Sequence, residues 1–210
     1  MSMDLFVTGT DTGVGKTLVS ALLCAALEGV YWKPIQTGAS EDSDRRTVME
    51  LAELDAERAI PECYVFDPPV SPHLAAERAG ATIDLGCVRR PEGTLPGPLI
   101  VEGAGGVMVP VNGREFMLDL MRRLGLPIVV VARSALGTIN HSLLTLGALQ
   151  CAGLTVKGVI VVGTPNRDNE RAIERYGCVP ILGRVPLLET INRATLLEVF
   201  NREFDRDKFD

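Results

Sequence analysis

Residues 9–17 read GTDTGVGKT, directly after the apolar run Leu5, Phe6, Val7 and directly before the helical-looking run LVSALLCAALE. A strand, a glycine-rich turn and a helix start follow one another, which is the order a phosphate-binding loop requires. Such a turn aims backbone N–H groups at an anion, and the positive end of the helix dipole adds to them. Gly13 and Gly15 let the backbone curl without Cβ clashes. Lys16 is placed to reach β- and γ-phosphates, and the Thr17 hydroxyl to ligate Mg²⁺. The usual spacing G-x-x-x-x-G-K-[ST] puts its first glycine at position 10, where this chain has Thr10; Gly9 stands one residue early. The stretch implies a nucleoside triphosphate, a metal and a parallel α/β sheet.

Bulk properties agree with that class. The 210 residues suffice for one sizeable core and would be cramped as two domains. Hydrophobic residues make up 46% and mean hydropathy is +0.19, as suits a sheet covered on both faces. The net charge of −6 and pI near 5.1 argue against nucleic acid or an anionic membrane as the main partner. The five cysteines, Cys24, Cys63, Cys87, Cys151 and Cys178, are scattered and form no C-x-x-C. Free thiols in a reducing cytoplasm are expected rather than a disulfide or zinc framework. The start MSMDLFVTG lacks a basic region and enters a strand at once, so no signal peptide is expected. No apolar run approaches the roughly 20 residues of a membrane span.

Strand-like runs recur at 5–8, 30–34, 98–103, 127–132, 157–162 and 180–186. Helical periodicity falls at 17–28, 45–54, 115–124, 140–152, 169–176 and 189–204. The alternation predicts βαβ units: a single P-loop α/β domain over 1–210, with a mostly parallel sheet flanked by helices on both faces. Right-handed crossovers would gather the functional loops at the carboxyl ends of the strands. Residues 61–98 carry most of the prolines and read as loops and short helices around the site. The charged tail, about 201–210, reads as a solvated face or frayed end.

Several side chains fall at those strand ends. Glu102 closes the strand PLIV and opens EGAGG, a poor place for a core residue and a good one for a metal near phosphates. Gly103, Gly105 and Gly106 would let backbone approach a ligand. Lys33 ends the second strand, in the stretch YWKPIQTG, where an ammonium could stabilise charge on a transferring phosphoryl group or simply snorkel to the surface. Asp44 sits in EDSDRR at a helix start; from the residues alone it is a cap or dipole partner as readily as a metal ligand, and Asp42 and Ser43 are equal cap candidates. ALGTINH (135–141) follows a strand and opens a helix, a second place for an anion such as a carboxylate. His73 and His141, the two histidines, read as structural hydrogen-bonding residues.

Together these pieces resemble the dethiobiotin synthetase family. The features are TGTDTGVGKT with its shifted glycine, KPIQTG, the DSD segment, SPHLAA, VEGAGG and LGTINHSLLT, in order from residue 5 to about 190. The resemblance implies a homodimeric ligase of biotin biosynthesis that joins 7,8-diaminononanoate and CO₂ at the expense of ATP with Mg²⁺. It implies Lys33 and Lys16 as catalytic lysines. Thr17, Asp44 and Glu102 would be metal-linked, and Thr12 and Thr37 would lie near the diamine and its carbamate. Gly13, Val14, Gly15, Lys16, Thr17, Leu18, Asp44, Glu102, Gly103, Ala104 and Gly105 would border the nucleotide. Gly137, Thr138 and Asn140 would receive the substrate's tail carboxylate across the dimer. Family members often carry Asn-Asp after the fifth strand, the Asn reading the adenine edge; here Val162 and Gly163 stand there. Backbone groups, with Pro186, Leu187 and Leu188 over the base, would have to serve instead. Relaxed base discrimination is therefore expected, with CTP or GTP competing with ATP.

Three other readings compete. A partitioning or carrier-type P-loop ATPase switch would show a lysine where Asp11 stands. A cobyrinate-type amide ligase would need a glutaminase module. A non-catalytic nucleotide-binding module would leave Lys33 and Glu102 without purpose.

Overall fold

The computed structural model describes residues 3–40 and 43–209. In chain order its strands are β1 (Leu5–Gly9), β2 (Val30–Trp32), β3 (Ile35–Thr37), β4 (Ala59–Ile60), β5 (Tyr64–Phe66), β6 (Leu99–Gly106), β7 (Ile128–Arg133), β8 (Val156–Val162) and β9 (Ile181–Val185). The helices are α1 (Lys16–Leu27), α2 (Asp44–Ala52), α3 (Pro72–Arg78), α4 (Met117–Leu124), α5 (Thr138–Cys151), α6 (Arg167–Gly177) and α7 (Arg193–Glu203).

Seven strands form one sheet in the order β4-β2-β6-β1-β7-β8-β9, and every pairing in it is parallel. Parallel strands are buried on both faces and read as unbroken apolar runs; β1 and the first five residues of β7 are buried throughout. Alternate side chains feed two cores. Phe6, Leu99, Val101, Ile128 and Val130 enter the core that holds Leu120, Leu124 and Leu149 of α4 and α5. Leu5, Val7, Ile100, Val129 and Val131 enter the core under α1, α2 and α7. Helix α1 is apolar nearly all round because it lies against the sheet with α2 and α7 beside it. It stops at Glu28, which takes the left-handed conformation with φ 53°.

The six strands expected from the sequence are present with small boundary differences. Three short strands fall outside that expectation. Ala59–Ile60 adds an edge to the main sheet beside β2. Ile35–Thr37 and Tyr64–Phe66 pair in parallel as a separate two-stranded sheet, so residues 61–98 contribute a strand as well as loops and short helices. The tail is also more ordered than a frayed end. Residues Arg206–Phe209 form a 3₁₀ turn, Phe209 is fully buried, and its carbonyl accepts from Met3 N–H at 2.9 Å. The Phe204 ring stacks on Phe200 at 5.2 Å. It lies so close over Gly183 that a Cβ there would meet it at 2.3 Å.

The sheet is wound outward in both directions from β1: the connection through α1 leads to β2 on one side, and the one through α4 leads from β6 to β7 on the other. A reversal of this kind leaves a crevice at the carboxyl end of the central strand. The loop 9–17 occupies that end.

Candidate active site

The loop wraps as its glycines permit. Gly13 and Gly15 have φ of 71° and 98°. The early glycine has a packing reason: a Cβ at Gly9 would meet Val14 Cγ2 at 2.7 Å and the Asp11 carbonyl at 3.0 Å. The loop tucks the Val14 side chain under itself, and Gly9 leaves the room. Val14 is accordingly buried in the core, so only its backbone is available to a ligand. Lys16 Nζ donates to the Asp11 carbonyl at 3.0 Å, folding the lysine over the loop.

Lys33 owes its position to Pro34. A proline has no N–H for the ladder, so β2 ends at Trp32 and the chain crosses to the small sheet. The Pro34 carbonyl accepts there from Cys63 and Tyr64 N–H. Lys33 is left at the strand end, 6% exposed, facing into the crevice. Glu102, on β6 opposite Val7, is 1% exposed. In the EDSD segment Ser43 takes the cap, its hydroxyl accepting from Arg46 N–H at 3.3 Å. Asp44 is thereby free to point at the crevice from the first turn of α2. Asp42 lies outside the described residues.

These side chains converge. The Thr17 hydroxyl lies 2.6 Å from Asp44 Oδ1 and 3.0 Å from Glu102 Oε1. Lys33 Nζ donates to Asp44 Oδ2 and lies 3.4 Å from Glu102 Oε1. Burial works against the charge of Lys33, but the Glu102 and Asp44 carboxylates outweigh it and hold the ammonium above its ordinary value. Lys16 is different: burial, with the neighbouring Lys33 charge, outweighs the pull of Glu102 and Asp44, and its pKa is lowered. Burial would raise Asp44, yet Lys33 beside it holds the carboxyl below its usual value.

A cavity of about 570 Å³ opens over this cluster. Of the residues singled out in the sequence it gathers Thr12, Gly13, Gly15, Lys16, Thr17, Lys33, Thr37, Asp44, Glu102, Ala104 and Gly105. Its far wall is Pro69 to Pro72, with Val109. Pro69 to Pro72 belong to the proline-rich 61–98 region, within the stretch DPPVSPH, which marks a loop but no individual side chain. Leu18 and Gly103 lie outside the lining: Leu18 packs on the core, and Gly103 lies against the Phe6 ring. Val162 and Gly163 stand beyond the loop on the other side, Val162 with its side chain against Gly15. Gly163 N–H donates to the Val185 carbonyl at 2.9 Å, which ties the end of β8 to β9 just ahead of Pro186, Leu187 and Leu188. Leu187 is 77% exposed. Gly137, Thr138 and Asn140 are also outside the cavity, at the start of α5; Thr138 is buried and Asn140 is exposed.

Comparison with known proteins agrees with the geometry. A family profile described as "AAA domain" matches residues 3–195. The ATP-dependent dethiobiotin synthetase BioD of Nitrobacter hamburgensis is 48% identical over 209 residues, covering 100% of this chain and 98% of that protein. That of Rhodopseudomonas palustris is 44% identical over 209 residues, covering 100% and 97%. The chain belongs to the ATP-dependent dethiobiotin synthetase family. Among solved structures, a ParA family ATPase from Chlorobium tepidum matches with a TM-score of 0.52 at 12% identity, covering 94% of this chain and 90% of that one. The MinC:MinD cell division complex of Aquifex aeolicus matches at 0.50 and 14%, covering 96% and 86%. At that identity the likeness is one of fold alone. Where a partitioning-type ATPase would show its signature lysine, this chain has Asp11.

Proposed function

We propose that the 570 Å³ cavity is where this ATP-dependent dethiobiotin synthetase does its chemistry. The observation that carries the reading is the convergence of Lys33, two carboxylates and the Thr17 hydroxyl at the phosphate loop, with Lys16 lining the same cavity. The reaction closes the ureido ring of dethiobiotin in biotin biosynthesis. One amine of 7,8-diaminononanoate takes up CO₂ to give a carbamate. A carbamate oxygen attacks the γ-phosphorus of ATP and ADP leaves. The second amine attacks the carbonyl carbon, the ring closes, and phosphate departs.

Each step needs something this floor offers. A carbamate is anionic and readily loses CO₂, so it needs a fixed cationic neighbour and little water. Lys33 is buried, charged and beside the site, and is our assignment for that role. Lys16, folded over the loop, would meet the phosphate charge. Thr12 and Thr37 line the same cavity and would face the diamine. Thr17, Asp44 and Glu102 fit Mg²⁺, which is usually held by one or two carboxylates together with substrate phosphates. Three of their oxygens already meet within hydrogen-bond distance. Among the described residues no group of three or more His, Cys, Asp or Glu forms a closed cage. When bound, the ion would neutralise charge on the β- and γ-phosphates.

We extend the reading to a homodimer. Gly137, Thr138 and Asn140 do not line their own chain's cavity, and Gly137 and Asn140 are exposed, which leaves them available to a partner's substrate. Leu136 beside them is fully exposed, and Leu144 one turn further on is 66% exposed. We read 1–210 as one domain, and the compartment as cytoplasmic; all five cysteines are free, which suits a reducing interior. No helix among the described residues is long and apolar enough to cross a membrane. With Val162 and Gly163 at the base-facing end, CTP or GTP is expected to compete with ATP.

Phosphate release from ATP and Mg²⁺ with bicarbonate, with and without 7,8-diaminononanoate, tests the reading. Release that requires the diamine, yields dethiobiotin by mass and disappears in Lys33→Ala is the expected result. Diamine-independent hydrolysis would point instead to a switch ATPase.

A further inference from the structure

Glu102 presents its two oxygens to two different surroundings. Oε1 faces the cavity floor, where it meets Thr17 and Lys33. Oε2 points the other way and accepts from the Tyr31 hydroxyl at 3.0 Å. Tyr31 is fully buried. It stands on β2 opposite Ile100, in the core under α1 and α2, and Glu102 lies two residues beyond Ile100 on β6. The core it belongs to is mainly aliphatic, and a buried hydroxyl without a partner is costly. Among the described residues, Glu102 is the hydrogen-bond partner of the phenol.

We propose that Tyr31 is a positioning residue for the synthetase reaction: its hydroxyl pins Oε2 of Glu102 so that Oε1 alone is presented to the site. The inference rests on the assignment of Glu102 as a Mg²⁺-holding residue. The terminal torsion of a glutamate is broad and nearly two-fold, so an unpinned carboxylate turns either oxygen, or both, toward an ion. Mg²⁺ demands near-ideal octahedral geometry, and a ligand that wanders weakens metal binding before it weakens nucleotide binding. Partners of this outer kind typically govern about 10–100-fold in metal affinity or activity.

Tyr31→Phe removes the hydroxyl and keeps the ring. Mn²⁺ serves as the probe, titrated by electron paramagnetic resonance against the full chain with a non-hydrolysable ATP analogue. The variant is expected to bind Mn²⁺ about tenfold more weakly. The Mg²⁺ concentration for half-maximal activity should rise by a similar factor, while affinity for the analogue in EDTA is unchanged. Tyr31→Leu, which also lacks the hydroxyl, should show the same metal-specific loss and serves if the phenylalanine variant folds poorly. A folded variant with unchanged Mn²⁺ affinity would overturn the proposal. Glu102→Gln run in parallel separates the two ideas. If it leaves Mn²⁺ affinity intact, the metal assignment fails; if it weakens Mn²⁺ and Tyr31→Phe does not, only the positioning role fails.

Discussion

Lys33→Met takes one positive charge from a floor that holds two carboxylates. Methionine keeps an unbranched stem of similar reach, so the apolar part of the side chain is largely preserved. Glu102 is 1% exposed and the Asp44 side chain 22%. Without the ammonium, Glu102 still has the Tyr31 hydroxyl on Oε2. The Thr17 hydroxyl carries a single hydrogen, however, and two carboxylate oxygens face it. One of them is left without a donor. Removing one partner of a buried ion pair costs about 3–5 kcal/mol. The partial exposure of Asp44 and the nearness of Lys16 favour the lower end, about 3 kcal/mol. For a chain of this size each kcal/mol moves Tm by about 2–4 °C, so the variant should melt about 6–12 °C lower at neutral pH.

The pH dependence gives the sharper check. Asp44 is held below its ordinary value, so its contribution is present above the unfolded carboxylate value and is lost as pH falls through the folded one. Lys33 is held above its ordinary value, so its contribution is present below the unfolded lysine value and is lost as pH rises through the folded one. The gap between wild type and Lys33→Met should thus be widest across neutral pH. It should narrow as pH falls through the ordinary carboxylate range and close only below it, where Asp44 is protonated in the wild type as well. Circular-dichroism melts at neutral and acid pH measure both quantities. An unchanged Tm at neutral pH, or a gap that does not narrow in acid, would refute the pairing argument.

Three further outcomes are expected. Val162→Asn should restore a side-chain amide to the base-facing end and shift kcat/KM toward ATP over CTP and GTP by about tenfold, the worth of two modest hydrogen bonds; an unchanged ratio would place the base elsewhere. Phe209→Ala empties a fully buried site in the tail and should cost about 3 kcal/mol with turnover at room temperature preserved; an unchanged melt would mean that the tail does not anchor the chain. Leu144→Asp puts a charge on an exposed apolar residue of α5. Light scattering should show a monomer that still binds ATP but no longer turns over the diamine; a dimer with full activity would remove α5 from the interface.

The main sheet was legible because parallel strands buried on both faces need apolar residues at every position, and such runs stand out. The short strands were not. Ile35–Thr37 and Tyr64–Phe66 are three residues each, too few to show a period, and their pairing depends on Pro34 turning the chain out of the main sheet. The ordered tail was hidden for a related reason. Phe204 and Phe209 are isolated among charges, and what seats Phe204 is the missing side chain of Gly183, about twenty residues upstream.

The floor of the site divides along the same line. Lys16 and Thr17 are fixed by local spacing and Glu102 by being acidic at the end of an apolar strand; Lys33, at its own strand end, reads equally as a surface lysine, and the family resemblance is what gives it a role. Asp44 differs because EDSD offers several oxygens for one helix start. The choice is made when Ser43 caps α2 and leaves Asp44 free to reach Thr17 and Lys33. Tyr31 gave no signal beyond strand propensity, since its partner is 71 residues away. What brings them together is the register of β2 on β6, which sets Tyr31 opposite Ile100 and leaves Glu102 just beyond. A residue whose role is to hold another lacks a motif of its own. It becomes visible only when a buried polar group is asked which single partner satisfies it, and here the answer leads from the core to the floor of the active site.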